Sequence, residues 1–140
     1  MVGLLEFASG AVASIMTSFD VPKHRHPPIE IYGMAGSLLV PDPNRFGGDV
    51  APAKTGGAWE TQAPTHANTD GEFRSIGVAD MAAGLLTGRP HRASAALALH
   101  VLEAMEAFQT SADEARRIKL ATTVDRPAMR PAGLVTSRLD

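Results

Sequence analysis

Residues 77–108, GVADMAAGLLTGRPHRASAALALHVLEAMEAF, decide the fold. Ile76, Val78, Met81, Ala82, Leu85 and Leu86 gather on one side of a 3.6-residue period, which predicts a helix starting near Phe73. Thr69 and Glu72 have capping-box spacing ahead of it, with Gly71 between them. Gly88, followed by Arg89 and Pro90, forms a stop: glycine accepts the left-handed C′ conformation and proline cannot continue a helix. Ser94 can then cap a second helix running to about Thr110. Its predicted apolar stripe is Leu97, Val101, Met105 and Phe108, widened by Ala98, Leu102 and Ala104.

Everything before this helix pair reads as β structure. Residues 2–7 and 11–20 form two predicted strands around Ala8-Ser9-Gly10, where glycine takes positive φ at little cost. In the second strand, Ala11, Ala13, Ile15, Thr17 and Phe19 share one face, while Val12, Ser14, Met16 and Ser18 share the other. Both faces are mostly apolar or small, so helices should cover one side and another body, such as a second subunit, the other. Residues 29–33 and 37–40 form a second pair about the tight link Met34-Ala35-Gly36. From Asp42 to about Asp70, glycines and prolines interrupt any long element, which predicts a lid, an extended arm or irregular strands, with 58–62 as one short strand. After the helices, 118–124 alternates as a last strand, with Ile118, Leu120 and Thr122 on one face. The predicted class is α+β: a largely antiparallel open sheet with two helices packed on one face. Residues 1–126 form the domain and 127–140 an irregular tail. A chain that opens in mid-sheet suggests a start inside a larger ancestral unit, or an expression boundary.

The 140 residues suit one domain, with 44% hydrophobic and 20% charged residues and a net charge of −2. Thirteen basic against fifteen acidic residues make no field for a polyphosphate, so nucleic acid is not an expected partner. The absence of cysteine excludes disulfides, thiolate metal sites and cysteine nucleophiles, and suits a reducing cytoplasm. No run of 18 apolar residues exists, so no membrane helix is expected.

The candidate chemistry is sparse. His24 and His26 point the same way in an extended chain, a usable geometry for two metal ligands. A third ligand would have to come from Glu30, His66 or His91, and nothing fixes one, so no metal site is assigned. The alternatives are an exposed basic loop between Pro22 and Pro27, or donors to an anionic or polyhydroxylated ligand. Arg92 and Ser94, at the start of the second helix, could hold an anion or lock the two helices together by a salt bridge or a cap. His100 reads as a hydrogen-bonded histidine between helix and sheet. Asp80, among apolar neighbours, must pair or face water, yet Arg74 lies on a different face. Glu103 and Glu106 read as the solvated side of their helix. The chain has no GxGxxG fingerprint, phosphate loop or serine elbow.

Three stretches together carry a resemblance: FASGAVASIMTSFDV at 7–21, IEIYGMAGSLLVPDPNRFGG at 29–48, and the helical stretch at 77–108. They resemble the carboxyl-terminal domain of the glucose–fructose oxidoreductase/inositol dehydrogenase (Gfo/Idh/MocA) family over most of residues 3–125. The resemblance implies a full-length enzyme with an amino-terminal Rossmann domain for NAD or NADP. It also implies a second domain that shapes a sugar or polyol site and assembles through its sheet. This chain departs from the pattern. It lacks the glycine-rich nucleotide loop, the Glu-Lys-Pro segment with the catalytic lysine, and the Asp…His pair; neither Asp80 nor His100 matches that pair. The expectation is therefore a truncated domain with no catalytic or cofactor-binding residue of its own and no cofactor bound alone. A homodimer or higher oligomer through the sheet is expected, and His24, His26 and Tyr32 are the expected substrate-facing residues. The alternatives are a split dehydrogenase completed by a separate Rossmann chain, and a non-catalytic sugar or polyol-binding module.

Overall fold

Alternation of exposed and half-covered residues, period two, organises the first unit of the chain. The computed structural model describes residues 1–69 and 71–131. It divides into two units, one made of Met1–Arg25 with Leu99–Thr123, the other of His26–Ala98 with the chain from Val124 onward. Strands β1 (Val2–Glu6) and β2 (Val12–Met16) pair antiparallel in the first unit, with Leu4 opposite Ser14. The turn is closed by hydrogen bonds from Phe7 N–H to the Ala11 carbonyl (2.9 Å) and from Gly10 N–H to the Phe7 carbonyl (2.9 Å). Gly3, Leu5, Ala13 and Ile15 are on the more covered side, and Val2, Leu4, Val12 and Met16 are exposed.

The second unit opens with a three-stranded antiparallel sheet, β3 (Ile29–Gly33), β4 (Gly36–Val40) and β5 (Ala51–Lys54), in that order. Gly33 and Gly36 close the β3–β4 hairpin, leaving Met34 and Ala35 as a two-residue loop. Residues 58–62 contribute a single bridge, Val50 to Gln62, in place of the predicted strand. Phe46 and Phe73 meet edge to face at 5.8 Å, and Arg45 donates to Glu72 at 2.9 Å, tying the irregular segment together. The expected capping box of Thr69 and Glu72 does not form, because helix α1 (Ile76–Thr87) begins later, from Ser75, without a side-chain cap. It ends as its sequence requires, on Gly88 at φ 76°.

The class is α+β with antiparallel sheets, and among the described residues the strands fall into two sheets. Helix α2 (Ala95–Glu114) begins in the second unit, and in its part within the first unit the Phe108 ring packs on β1, occupying the space a Cβ on Gly3 would need. The covered stripe of α2 keeps Leu97, Ala104 and Phe108 of the predicted one and loses Val101, Leu102 and Met105. His100, Glu103, Ala104, Ala107 and Phe108 are half-buried, while Val101, Leu102 and Met105 face solvent. The expected last strand over 118–124 has no ladder, although its alternation is kept: Ile118, Leu120 and Thr122 are half-covered, and Lys119, Ala121 and Thr123 exposed.

Gly3→Val is expected to force Phe108 aside and destabilise the first unit by about 1–3 kcal/mol, the usual cost of overpacking. Urea unfolding of the variant beside the parent chain measures it; an unchanged midpoint would contradict the packing of Phe108 on Gly3.

Candidate functional site

The best-built polar cluster lies where α1 meets the connection to α2, within the second unit. Asp80 is buried at 5% exposure on a helix whose other buried residue is Gly84. No side chain on α1 balances its charge. The partners come from beyond the helix stop: Arg89 Nη2 donates to Asp80 Oδ1 at 2.8 Å, the Arg92 backbone N–H donates to Oδ2 at 2.7 Å, and Arg92 Nη1 donates to Oδ1. Gly88 reverses the chain so that both guanidinium groups can return to a residue eight positions before it.

Around this core, Gly84 is small for a reason. A Cβ there would meet the Arg89 carbonyl at 2.9 Å and the His91 Cβ at 3.2 Å. Ser94 caps α2 as expected, its Oγ accepting from the Leu97 N–H at 3.2 Å. Arg92 Nε also donates to the Ala128 carbonyl at 2.9 Å, and Arg130 Nη1 donates to Asn68 Oδ1 at 2.9 Å, fastening the described part of the tail to this unit. Residues 132–140 of the expected tail lie outside the described residues. Arg89, Pro90, His91, Arg92, Pro127 and Ala128 line a partly open hollow of about 210 Å³.

Burial alone would raise the pKa of Asp80. The Arg92 N–H, the Arg89 hydrogen bond and the Arg92 charge outweigh it and hold the carboxyl below its ordinary value. A carboxylate kept ionised in this way is a structural anchor and is poorly matched to proton transfer near neutrality. Of the sequence-based alternatives of a salt bridge or a cap, Arg92 makes the first and Ser94 the second.

A second cluster, within the first unit, was misread from sequence. Glu103 belongs to no solvated face: it accepts from the Ala121 N–H at 2.6 Å, the Thr122 N–H at 2.9 Å and the Thr122 hydroxyl. His100 Nδ1 lies 2.8 Å from Thr122 Oγ1. Since that hydroxyl gives its proton to Glu103, His100 is the donor of this contact. The Thr122 hydroxyl and then the Ala121 and Thr122 N–H groups hold the Glu103 carboxyl below its usual range. A carboxylate thus takes donors that a sheet ladder would have used, which is why 118–124 keeps strand alternation without being a strand. The expectation of a hydrogen-bonded His100 holds, with an extended segment in place of a sheet.

The residues expected to face a substrate are less organised. His24 and His26 are exposed, and they fall in different units. Tyr32 is 73% exposed on β3, and its hydrogen bond to Glu30, two residues away on the same face, raises the phenol pKa. Among the described residues, no three His, Asp or Glu side chains converge as metal ligands, and no helix is long and apolar enough to cross a membrane. Comparison with protein-family models, with curated proteins and with solved structures finds no match.

Asp80→Asn removes the charge that Arg89 and Arg92 surround. The expected loss is about 3 kcal/mol, at the lower end for a broken buried ion pair because both guanidinium groups reach solvent. Because folding lowers this pKa, its stabilisation is complete above the ordinary aspartate value of about 3.9 and is lost as pH falls further, through the folded value. Urea midpoints of parent and variant should therefore converge on acidification below pH 4; a constant gap would contradict the pairing. In the first unit, Glu103→Ala should speed hydrogen exchange at Ala121 and Thr122 by about tenfold or more. Unchanged protection at both amides would contradict the Glu103 contacts.

Proposed function

We propose that this chain is the substrate-side and oligomerisation domain of an NAD(P)-dependent sugar or polyol oxidoreductase of the Gfo/Idh/MocA type. It acts in the cytoplasm as a homodimer or higher oligomer and is catalytically incomplete alone. Hydride transfer requires the cofactor's reactive carbon to be held against the substrate. With no glycine-rich nucleotide loop in its sequence, the chain leaves that task to a separate Rossmann-type domain.

One observation carries the oligomerisation half of this reading: among the described residues no apolar side chain is buried, and the buried positions are Asn68, Asp80 and Gly84. Val2 (74%), Leu4 (67%), Val12 (63%) and Met16 (69%) share one exposed face of the β1–β2 hairpin with Ser14 and Glu6. Burial of apolar area is the main favourable term in both folding and association, at roughly 25 cal/mol per Å². Exposed apolar side chains grouped in this way support the reading that another body covers this face. The substrate half is supported by the sequence resemblance and by the exposed donors of His24, His26 and Tyr32.

Sedimentation of the purified chain at micromolar concentration should give a dimer or larger species, and fluorescence titration should show no NADH binding without a second chain. A clean monomer would overturn the oligomerisation half. Tight NADH binding, or reduction of NAD with a polyol by this chain alone, would overturn the claim of incompleteness.

A further inference from the structure

The apolar face is one feature of the hairpin, and the outer edge of β2 is another. Met1 and Thr17 exchange both backbone bonds, Thr17 N–H to the Met1 carbonyl at 2.9 Å and the Met1 ammonium to the Thr17 carbonyl at 2.7 Å. At the other end, the Phe7 N–H donates to the Ala11 carbonyl. Antiparallel ladders alternate strictly, so Ala11, Ala13, Ile15 and Thr17 address β1. The N–H and C=O groups of Val12, Ser14 and Met16 therefore point outward, and β2 has no second neighbour among the described residues.

Exposed edges are normally guarded by charge, proline or cover. Other edges here follow that practice. Glu6 of β1 is paired with Arg117 at 2.7 Å. Pro27 and Pro28 precede β3, which carries Glu30. Strand β5 contains Pro52 and Lys54 and is met by the bridge to Gln62. The edge of β2 has none of these devices: from Phe7 to Phe19 the chain has no charged residue and no proline.

We propose that β2 pairs antiparallel with β2 of a second copy about a twofold axis at Ser14, giving a continuous four-stranded sheet. A twofold axis brings each residue against its own kind or a near neighbour, so any charge on the strand would meet a like charge. Strand β2 carries none, so no like charges oppose its pairing with a second copy. Val12 falls opposite Met16 of the second copy, Ser14 opposite Ser14, and Ala13 opposite Ile15. The outward groups of Val12, Ser14 and Met16 supply the hydrogen bonds. A two-stranded ribbon is marginal in water, and doubling the strand count removes that weakness. This inference deepens the oligomerisation half of the proposed function by adding the backbone edge of β2 to the exposed face of the same hairpin, and it is independent of the oxidoreductase reading.

Three variants of the whole chain, compared with the parent by sedimentation and urea unfolding, test it. Ser14→Pro removes an outward N–H and leaves the β1 ladder intact, a change tolerated on an edge that faces water. It should weaken the dimer at least about tenfold, since each copy loses a central donor. Ser14→Lys sets two ammonium groups opposite each other and should dissociate the dimer of a folded chain, which keeps the test decisive if the proline variant fails to fold. Leu4→Lys lies on the apolar face of β1 and off the edge, so it should weaken the dimer less than Ser14→Pro does. A dimer that survives both Ser14 variants, or one broken by Leu4→Lys and untouched by Ser14→Pro, would overturn edge pairing and leave a face-packed oligomer standing. A monomeric parent chain would overturn both.

Discussion

The carboxylate of Asp80 is buried in a helix with no cation to balance it, and the connection between α1 and α2 is arranged around that fact. An ionised carboxylate cannot remain in an apolar setting unless donors surround it. Arg89, Arg92 and the Arg92 N–H provide them, but only because Gly88 turns the chain back at φ 76° and Gly84 leaves room for the return. The helix stop, the close approach at Gly84 and the placement of Ser94 as the cap of α2 all belong to that one arrangement. It is a charge-centred joint in a chain whose apolar side chains are nowhere buried among the described residues.

The first unit uses the same device. Glu103 and His100 occupy the covered stripe of α2, where an amphipathic helix would place leucine or methionine, and they hold residues 121–122 through backbone and hydroxyl groups. Val101, Leu102 and Met105 are left facing outward as a result. Polar anchoring inside, with apolar surface outside, is the reverse of the usual partition in a folded domain.

Much of the fold was legible because it rests on local chemistry. Both hairpins follow from glycine-bearing turns between alternating runs, the stop of α1 from Gly88-Arg89-Pro90, and the start of α2 from Ser94. Three features were not legible, each for a reason. Strand β5 contains Pro52, which weakens any strand pattern, and it survives at the margin of its sheet. The partners of Asp80 lie nine and twelve residues downstream, past a helix break, where no helical periodicity points. Glu103 looked solvated because a carboxylate that binds backbone N–H groups leaves no mark in the hydrophobic pattern. The candidate site was legible only at Arg92 and Ser94, and there in its structural reading. For His24, His26 and Tyr32 the sequence supplied chemistry without geometry.

The order of synthesis adds a consequence to the packing of Phe108 on Gly3. The strands that need this helix come first, and α2 begins roughly eighty residues after β2 ends. At about 5–20 residues per second, the hairpin leaves the ribosome several seconds before its cover exists. Its thirteen-residue uncharged run, Phe7 to Phe19, is sticky and unprotected for that interval. Chaperone dependence and losses to inclusion bodies should therefore track translation speed through residues 20–95, a segment that makes none of these contacts itself.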